Sequence, residues 1–435
     1  MPFLINRPRR VDRMNDQANG VVERLDVAPE SIASWNRNDT TWMLGLFGTA
    51  IGAGTLFLPI NAGIGGFWPL MVLAFPMTFY AHRGLTRFVL SGREGADITE
   101  VVEQHFGKSA GAMITLLYFF AIFPILLIYS VALTNTVGSF LEHQLHIAPP
   151  PRAALAFVLI MGLLAVVRCG ERIIVKAMSL MVYPFIVALL FLAVFLIPHW
   201  TGGILSTATT FPEPSAFLPT LWLAIPVMVF SFNHTPIISA FAVDQKRQYG
   251  ENAEVRSSQI LARAHGLMVV MVLFFVFSCV LTLSPAQLAE AKAQNISILS
   301  YLANHFNNPT IAFVAPLIAF VAISKSFLGH YIGASEGLKG LVLKTGRRPA
   351  PKALGRLTAV FMLVVCWMVA TLNPSILGMI ETLGGPVISA LLFLMPMYAV
   401  YKVPAMRKYA GAWSNYFVVA AGVVAISALI FSLTR

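Results

Sequence analysis

The chain has 435 residues, 57% of them hydrophobic and only 11% charged, with a mean hydropathy of +0.75 and a formal net charge of +11. Soluble domains carry roughly a quarter charged residues, so the composition excludes an ordinary soluble protein. A lipid bilayer needs about 20 mostly apolar residues per crossing helix and leaves no water for unpaired backbone groups, so runs of this kind imply a helical bundle; the alternation of an outer-membrane barrel strand is absent.

The chain opens with a polar, arginine-rich stretch to about residue 40 that has no continuous apolar core and no cleavage site after one. It reads as a cytoplasmic tail, expected to be disordered, rather than a signal peptide. Residues 41–435 then form one transmembrane domain. Eleven apolar segments follow in order, at 41–63, 67–89, 111–141, 151–168, 175–197, 218–242, 262–284, 309–342, 355–372, 377–401 and 413–434. With the N-terminus inside, 26 of the 30 Lys and Arg residues fall on the cytoplasmic pieces; Arg152, Lys292 and Arg435 lie outside and Lys325 within a span. That asymmetry is an orientation signal. It disposes of nucleic-acid binding, which needs a clustered basic face, and an odd number of spans puts the C-terminus in the periplasm.

The first segment contains "GTAIGAGT", Gly48 to Thr55. Several glycines in one turn make an interior break plausible, although Gly45, Gly48 and Gly52 would equally suit close helix packing. The sixth segment reads "LWLAIPVMVFSFNHTPIISAFAV", in which Pro226 and Pro236 bracket a polar centre, Ser231 to Thr235. Proline removes a backbone donor and clashes with the preceding turn, so carbonyls are freed here. Broken first and sixth helices are what a five-plus-five inverted repeat places at equivalent positions. In such transporters the substrate sits between the breaks, near the midplane. No convincing residue similarity links the halves, so the repeat rests on placement.

The outer loops 198–217 and 285–308 are the longest on that face. The second has apolar positions at helical spacing and is expected to form a short helix capping the bundle. In the eighth segment Lys325 lies mid-span between Ser324 and Ser326, with His330 further on. A mid-membrane charge costs about 2.5–3.5 kcal/mol on insertion scales, so it should face the interior. It is either a structural cation paired for packing or a coupling group that exchanges a proton.

Other polar residues carry weaker signals. His234 either titrates or bonds a freed carbonyl. Glu381, before a Gly-Gly-Pro interruption in the tenth segment, is a proton site or an interface residue. Tyr118, Tyr129 and Ser130 are pocket walls or core, and Arg168 to Arg172 is a cytoplasmic turn. The three cysteines, Cys169, Cys279 and Cys366, are too scattered for a disulfide framework or a metal site. Lacking a phosphate-cradling Gly-Lys-Ser/Thr loop and a sizeable soluble domain, the chain is not expected to be an enzyme. Its energy would come from an ion gradient, without a cofactor.

"TTWMLGLFGTAIGAGTLFLPINAG", "AFPMTFYAHRGLTRFVLSG", "ITEVVEQHFGK", "LLYFFAIFPILLIYS", "VMVFSFNHTPIISAFAV", "EAKAQNISILSYLANHF", "KSFLGHYIGASEG" and "LNPSILGMIETLGGPVI" together resemble the bacterial hydroxy and aromatic amino acid permease family over residues 36 to 432. The resemblance is to its serine-moving branch. It implies an all-α inner-membrane symporter of about eleven helices, with the inverted-repeat fold of many amino acid transporters, importing L-serine with protons. Threonine, aromatic or broader specificity stays open, as does a non-transporting membrane receptor.

By the same analogy Thr49, Ile51, Gly52, Ala53, Gly54 and Thr55, with Ser231, Phe232, Asn233 and His234, hold the substrate. Ser324, Lys325 and Ser326 lie where sodium-driven relatives bind an ion, and a lysine there suits proton coupling; Glu381 is a further coupling candidate. No nucleic acid, metal or obligatory protein partner is implied. The first 35 residues have no counterpart in the resemblance.

Overall fold

The computed structural model describes residues 34–66, 68–168, 170–201, 222, 225–306, 308–346 and 349–433. Most of the N-terminal tail and of the 198–217 loop, the start of the sixth segment, and Cys169 lie outside these residues. The described chain is almost entirely helical, and each of the eleven expected segments overlaps a helix.

The first span is two helices, Arg37–Ala50 and Ala53–Gly65, meeting at a 52° bend. It starts four residues before the apolar run because Asn36 caps it: the Asn36 side chain accepts from the Asn38 and Asp39 N–H groups, and Asp39 accepts from the Asn36 N–H. Such a reciprocal box satisfies donors that a helix start otherwise leaves unpaired. At the bend Ile51 is extended (φ −83°, ψ 99°) and Gly52 adopts φ −145°, ψ −143°.

A short 3-10 stretch, Trp68–Leu73, leads into the second span, Ala74–Leu90. The third belongs to a helical run, Ile98–His143, interrupted at Gly107, whose φ of 86° suits glycine. Residues 98–106 are thus a separate short helix, placed by Asp97, which accepts from the Thr99 and Glu100 N–H groups. The fourth and fifth spans are Arg152–Val167 and Glu171–Phe195.

The sixth span is helical over 225–231, opens at Phe232 to His234, and resumes through Thr235–Ile237 into Ile238–Tyr249. The seventh, Ala253–Thr282, extends nine residues before the expected 262 because its polar first turns pack on the start of the first span. The eighth is Pro309–Lys344 and the ninth Pro351–Leu372. The tenth runs from Ile376 to Lys402 with two wide π-type turns, Ile380–Gly384 and Ala390–Leu394. The eleventh is Trp413–Leu433.

Small residues set the central packing. Gly333 of the eighth span would place a Cβ 2.8 Å from Pro236 Cα, and Gly337 would place one 3.1 Å from Phe119 Cα of the third. The eighth helix therefore lies backbone-close to both the third span and the sixth-span break. The 285–308 loop forms two short helices, Pro285–Ala293 and Ile298–His305, which bury Leu288, Leu299 and Leu302 against the bundle. Cys279 and Cys366 are buried free thiols.

Candidate functional site

The two breaks meet. Thr55, in the first turn of Ala53–Gly65, donates its hydroxyl to the Ser231 carbonyl at 3.2 Å, where the sixth span opens. Gly54 permits this approach: a Cβ there would stand 2.6 Å from the Phe230 ring and 3.0 Å from Ser231 Cα. Gly52 and Gly54 are thus not merely weak points in a helix: a side chain at Gly54 would push the first span from the sixth-span break, and one at Gly52 would meet Ser326 of the eighth span.

Around the junction Thr49, Ile51, Ala53, Thr55, Ser231, Phe232, Asn233 and His234 are all buried. Thr49 and Ser231 bond carbonyls of their own helices, Gly45 and Val227. Asn233 turns the chain: its Oδ1 accepts from the Thr235 N–H at 3.1 Å, while its Nδ2 has no partner at ordinary hydrogen-bond distance and the amide lies beside the His82 ring. A buried amide donor left open beside a helix break is suited to a polar ligand, because leaving it unmade costs about 1–3 kcal/mol. The helix Ala53–Gly65 also presents first-turn N–H groups that no intrahelical carbonyl can satisfy, and these favour an anion.

The eighth span meets the same junction through Ser326. Its Oγ lies 3.2, 3.1 and 2.9 Å from the carbonyls of Gly48, Thr49 and Ile51. Three acceptors share one hydroxyl hydrogen there, which makes the broken end of Arg37–Ala50 a place of concentrated negative dipole. Tyr129 of the third span closes the same side: a Cβ on Gly52 would lie 3.1 Å from its ring.

The remaining coupling candidates sit apart from those carbonyls. Lys325 is fully buried and points to the fifth span, with Nζ 3.6 Å from the Phe185 ring centre and 5.7 Å from that of Phe47. Among the described residues it has no hydrogen-bond partner, and neither does the Ser324 hydroxyl. Glu381 accepts from Asn61 Nδ2 at 3.0 Å, two helical turns beyond the break. The His234 ring leans on the Phe232 backbone within the break and stacks on His82 at 3.7 Å.

His82, His265, Phe185 and Asn61 escaped the sequence reading. Each is a lone polar or aromatic residue on a different element, so no spacing along the chain could associate them.

A family model of the tryptophan/tyrosine permease family matches residues 41–434. The chain belongs to that family. It is 64% identical to the serine transporter SdaC of Escherichia coli K12 over 415 residues, which cover 93% of this chain and 97% of that one. The serine transporter SdaC of Shigella flexneri is 63% identical over the same length. Among solved structures, the crystal structure of MhsT in complex with L-phenylalanine matches with a TM-score of 0.61 at 15% identity, covering 92% of this permease and 98% of MhsT. At that identity the likeness speaks for the fold: the all-helical, five-plus-five architecture with interrupted first and sixth spans holds. This permease is a multi-pass membrane protein and an amino acid transporter, not an enzyme.

Proposed function

We propose that the permease imports L-serine across the bacterial inner membrane by proton symport, with its N-terminus cytoplasmic and its C-terminus periplasmic. The carrying observation is the junction of the two breaks, where Thr55 bonds the Ser231 carbonyl and Asn233 keeps a buried, unpartnered amide donor. The 64% identity to serine transporters supports the substrate, and the basic residues on the inside connectors support the orientation.

The substrate carboxylate meets the first-turn N–H groups from Gly52 to Thr55, and its ammonium meets carbonyls freed near Ser231 and Phe232. Its hydroxyl meets Asn233. Thr49, Ile51 and Ala53 wall the first-span side, and His234 backs the sixth. A small pocket fits the Phe230 ring packed where a Gly54 side chain would be. Ser326, on the carbonyls at the broken end of Arg37–Ala50, its neighbours Ser324 and Lys325, the latter turned to Phe185 of the fifth span, and Glu381, hydrogen-bonded to Asn61 of the first span, are the coupling residues on the first-span side. The proton gradient supplies the energy; neither a cofactor nor an obligatory protein partner is needed, and residues up to the Asn36 cap serve as a cytoplasmic tail.

Radiolabelled serine uptake into proteoliposomes tests the function. An inward gradient of one pH unit should support up to about tenfold accumulation per coupled proton, since one pH unit is worth 1.36 kcal/mol. Equal serine inside and out under that gradient would overturn the symport. Competition by threonine and tryptophan separates serine from wider specificity.

A further inference from the structure

Three histidines from three elements meet beside the sixth-span break. His82 lies on the second span, His234 in the break and His265 on the seventh span, all fully buried. The ring centres of His82 and His234 are 3.7 Å apart and nearly parallel, at 16°; His265 lies 4.8 Å from His234 and 5.3 Å from His82.

Hydrogen bonds fix two of the three tautomers. His82 Nδ1 lies 2.8 Å from the Thr78 carbonyl and His265 Nδ1 lies 2.8 Å from the Leu261 carbonyl. A carbonyl only accepts, so each Nδ1 carries the hydrogen and each Nε2 keeps its lone pair. The His82 lone pair accepts the His234 backbone N–H at 3.3 Å. The His265 Nε2 has no hydrogen-bond partner, and the His234 ring has none at ordinary hydrogen-bond distance and leans on the Phe232 backbone. A second N–H on the His234 ring, added with one proton, makes either edge a donor towards the open His265 Nε2. One proton thus satisfies atoms that the neutral cluster leaves open, whereas two would put like charges in ring contact.

We propose that His82, His234 and His265 form a proton-holding site on the sixth-span side of the substrate, and that substrate binding at the break changes its hold on the proton. The proposal rests on the proton-symport reading and names the group that carries the ion. No covalent bond of the substrate changes: the proton enters from water as an N–H of the cluster and leaves to water on the other side. Coupling follows from placement. His234 adjoins Asn233, and its backbone N–H and ring both contact His82, while His82 and His265 ride on continuous helices. A shift of the break moves one imidazole against two fixed ones, and the resulting coupling between serine and proton is reciprocal.

Apart from His330, whose ring is near enough to act on His234, the charged and titratable groups on the surrounding elements are engaged elsewhere. Asp39 of the first span pairs with Arg256 of the seventh, and Arg87 of the second with Glu254 of the seventh. Arg83 of the second span lies over Phe79 and Tyr80, and Asp244 of the sixth accepts from Trp42 and Asn38. His330 of the eighth span bonds the Ser326 carbonyl, and Lys325 faces Phe185. A metal ion fits less well than a proton, because one ion needs converging lone pairs. One nitrogen of each ring lies within 4.8 Å of the others, but two rings are stacked in parallel and the His82 lone pair already accepts the His234 backbone N–H.

The test compares wild-type protein with His265→Gln and His82→Gln in proteoliposomes. Three measurements are made: serine accumulation under an imposed pH gradient, serine counterflow exchange at equal pH, and serine-triggered proton movement with an entrapped pH dye. Both variants should keep exchange and lose accumulation, from up to about tenfold per pH unit to unity, together with the dye signal. Wild-type protein without serine-driven proton movement would sink the symport itself. Wild-type coupling that persists undiminished in both variants would overturn the histidine site and leave symport standing.

Should the variants fail to exchange at all, wild-type protein with isotope-labelled histidine decides. Serine must then produce an infrared difference band of imidazolium, and a spectrum without one overturns the proposal. A one-to-one cobalt(II) complex with visible absorption, absent from both variants, would replace the proton by a metal.

Discussion

At the scale of residues, Gly52 and Gly54 act by what they leave out. A Cβ on Gly52 would come within 2.5 Å of Ser326 Cβ, in the space where the eighth span touches the first-span carbonyls. Gly52→Leu should therefore abolish serine binding while the protein still reaches the membrane, measured as loss of serine-induced thermal stabilisation. Normal affinity in this variant would make the glycines mere packing residues. Lys325→Ala should abolish accumulation under a pH gradient and leave exchange; uphill transport at the normal rate would make the lysine structural. The residues legible in the sequence were those on the two breaks, because glycine and proline announce a local event. His82 and His265 were not legible: each lies in an ordinary apolar helix, and only the crossing of three elements brings them to His234.

At the scale of elements, the interruptions could be read but the turns that vary helix width could not. Pro226 and Pro236 mark the sixth-span break because proline cannot bond backwards. The π-type turns Ile380–Gly384 and Ala390–Leu394 leave the apolar pattern of the tenth span intact and give no signal along the chain. Such turns concentrate at functional sites, and the first of them carries Glu381, bonded to Asn61. The long central helices are registered by small residues in the same hidden way: Gly333 and Gly337 stand one turn apart and let the eighth span lie against Pro236 and Phe119. Gly337→Leu should lower thermal stability, since overpacking a close backbone contact costs about 1–3 kcal/mol, with serine affinity per folded molecule unchanged because the position is far along the helix from Ser326. Loss of affinity at unaltered stability would instead tie this contact to the site.

At the scale of the molecule, alternating access needs ends that close and open, and the end assigned to the cytoplasm is tied shut through the first span. Asp39, fully buried, lies 3.7 Å from Arg256 of the seventh span and accepts from the Tyr249 hydroxyl of the sixth at 2.6 Å. Asn36 donates to the same Tyr249 oxygen at 2.6 Å, and Trp42 and Asn38 donate to Asp244 at 2.7 and 2.8 Å. Arg256 and Arg263 both lie over the Trp35 ring. The start of the first span is thereby clamped to the same two elements that carry His234 and His265. Composition and the run of apolar residues revealed the bilayer and the spans, because each is summed over many residues. The clamp depends on side chains some two hundred positions apart and became visible only in three dimensions.

Asp39→Ala leaves Arg256 buried without its carboxylate, and breaking a buried pair by removing one partner costs about 3–5 kcal/mol. That cost falls on the closed end alone, because an open end lets water solvate the guanidinium. The population should shift towards an inward-open form: hydrogen exchange at residues 36–46 should quicken, and downhill serine exit should outlast accumulation. Unaltered exchange protection in Asp39→Ala would mean that the aromatic and Asp244 contacts hold this end without the ion pair.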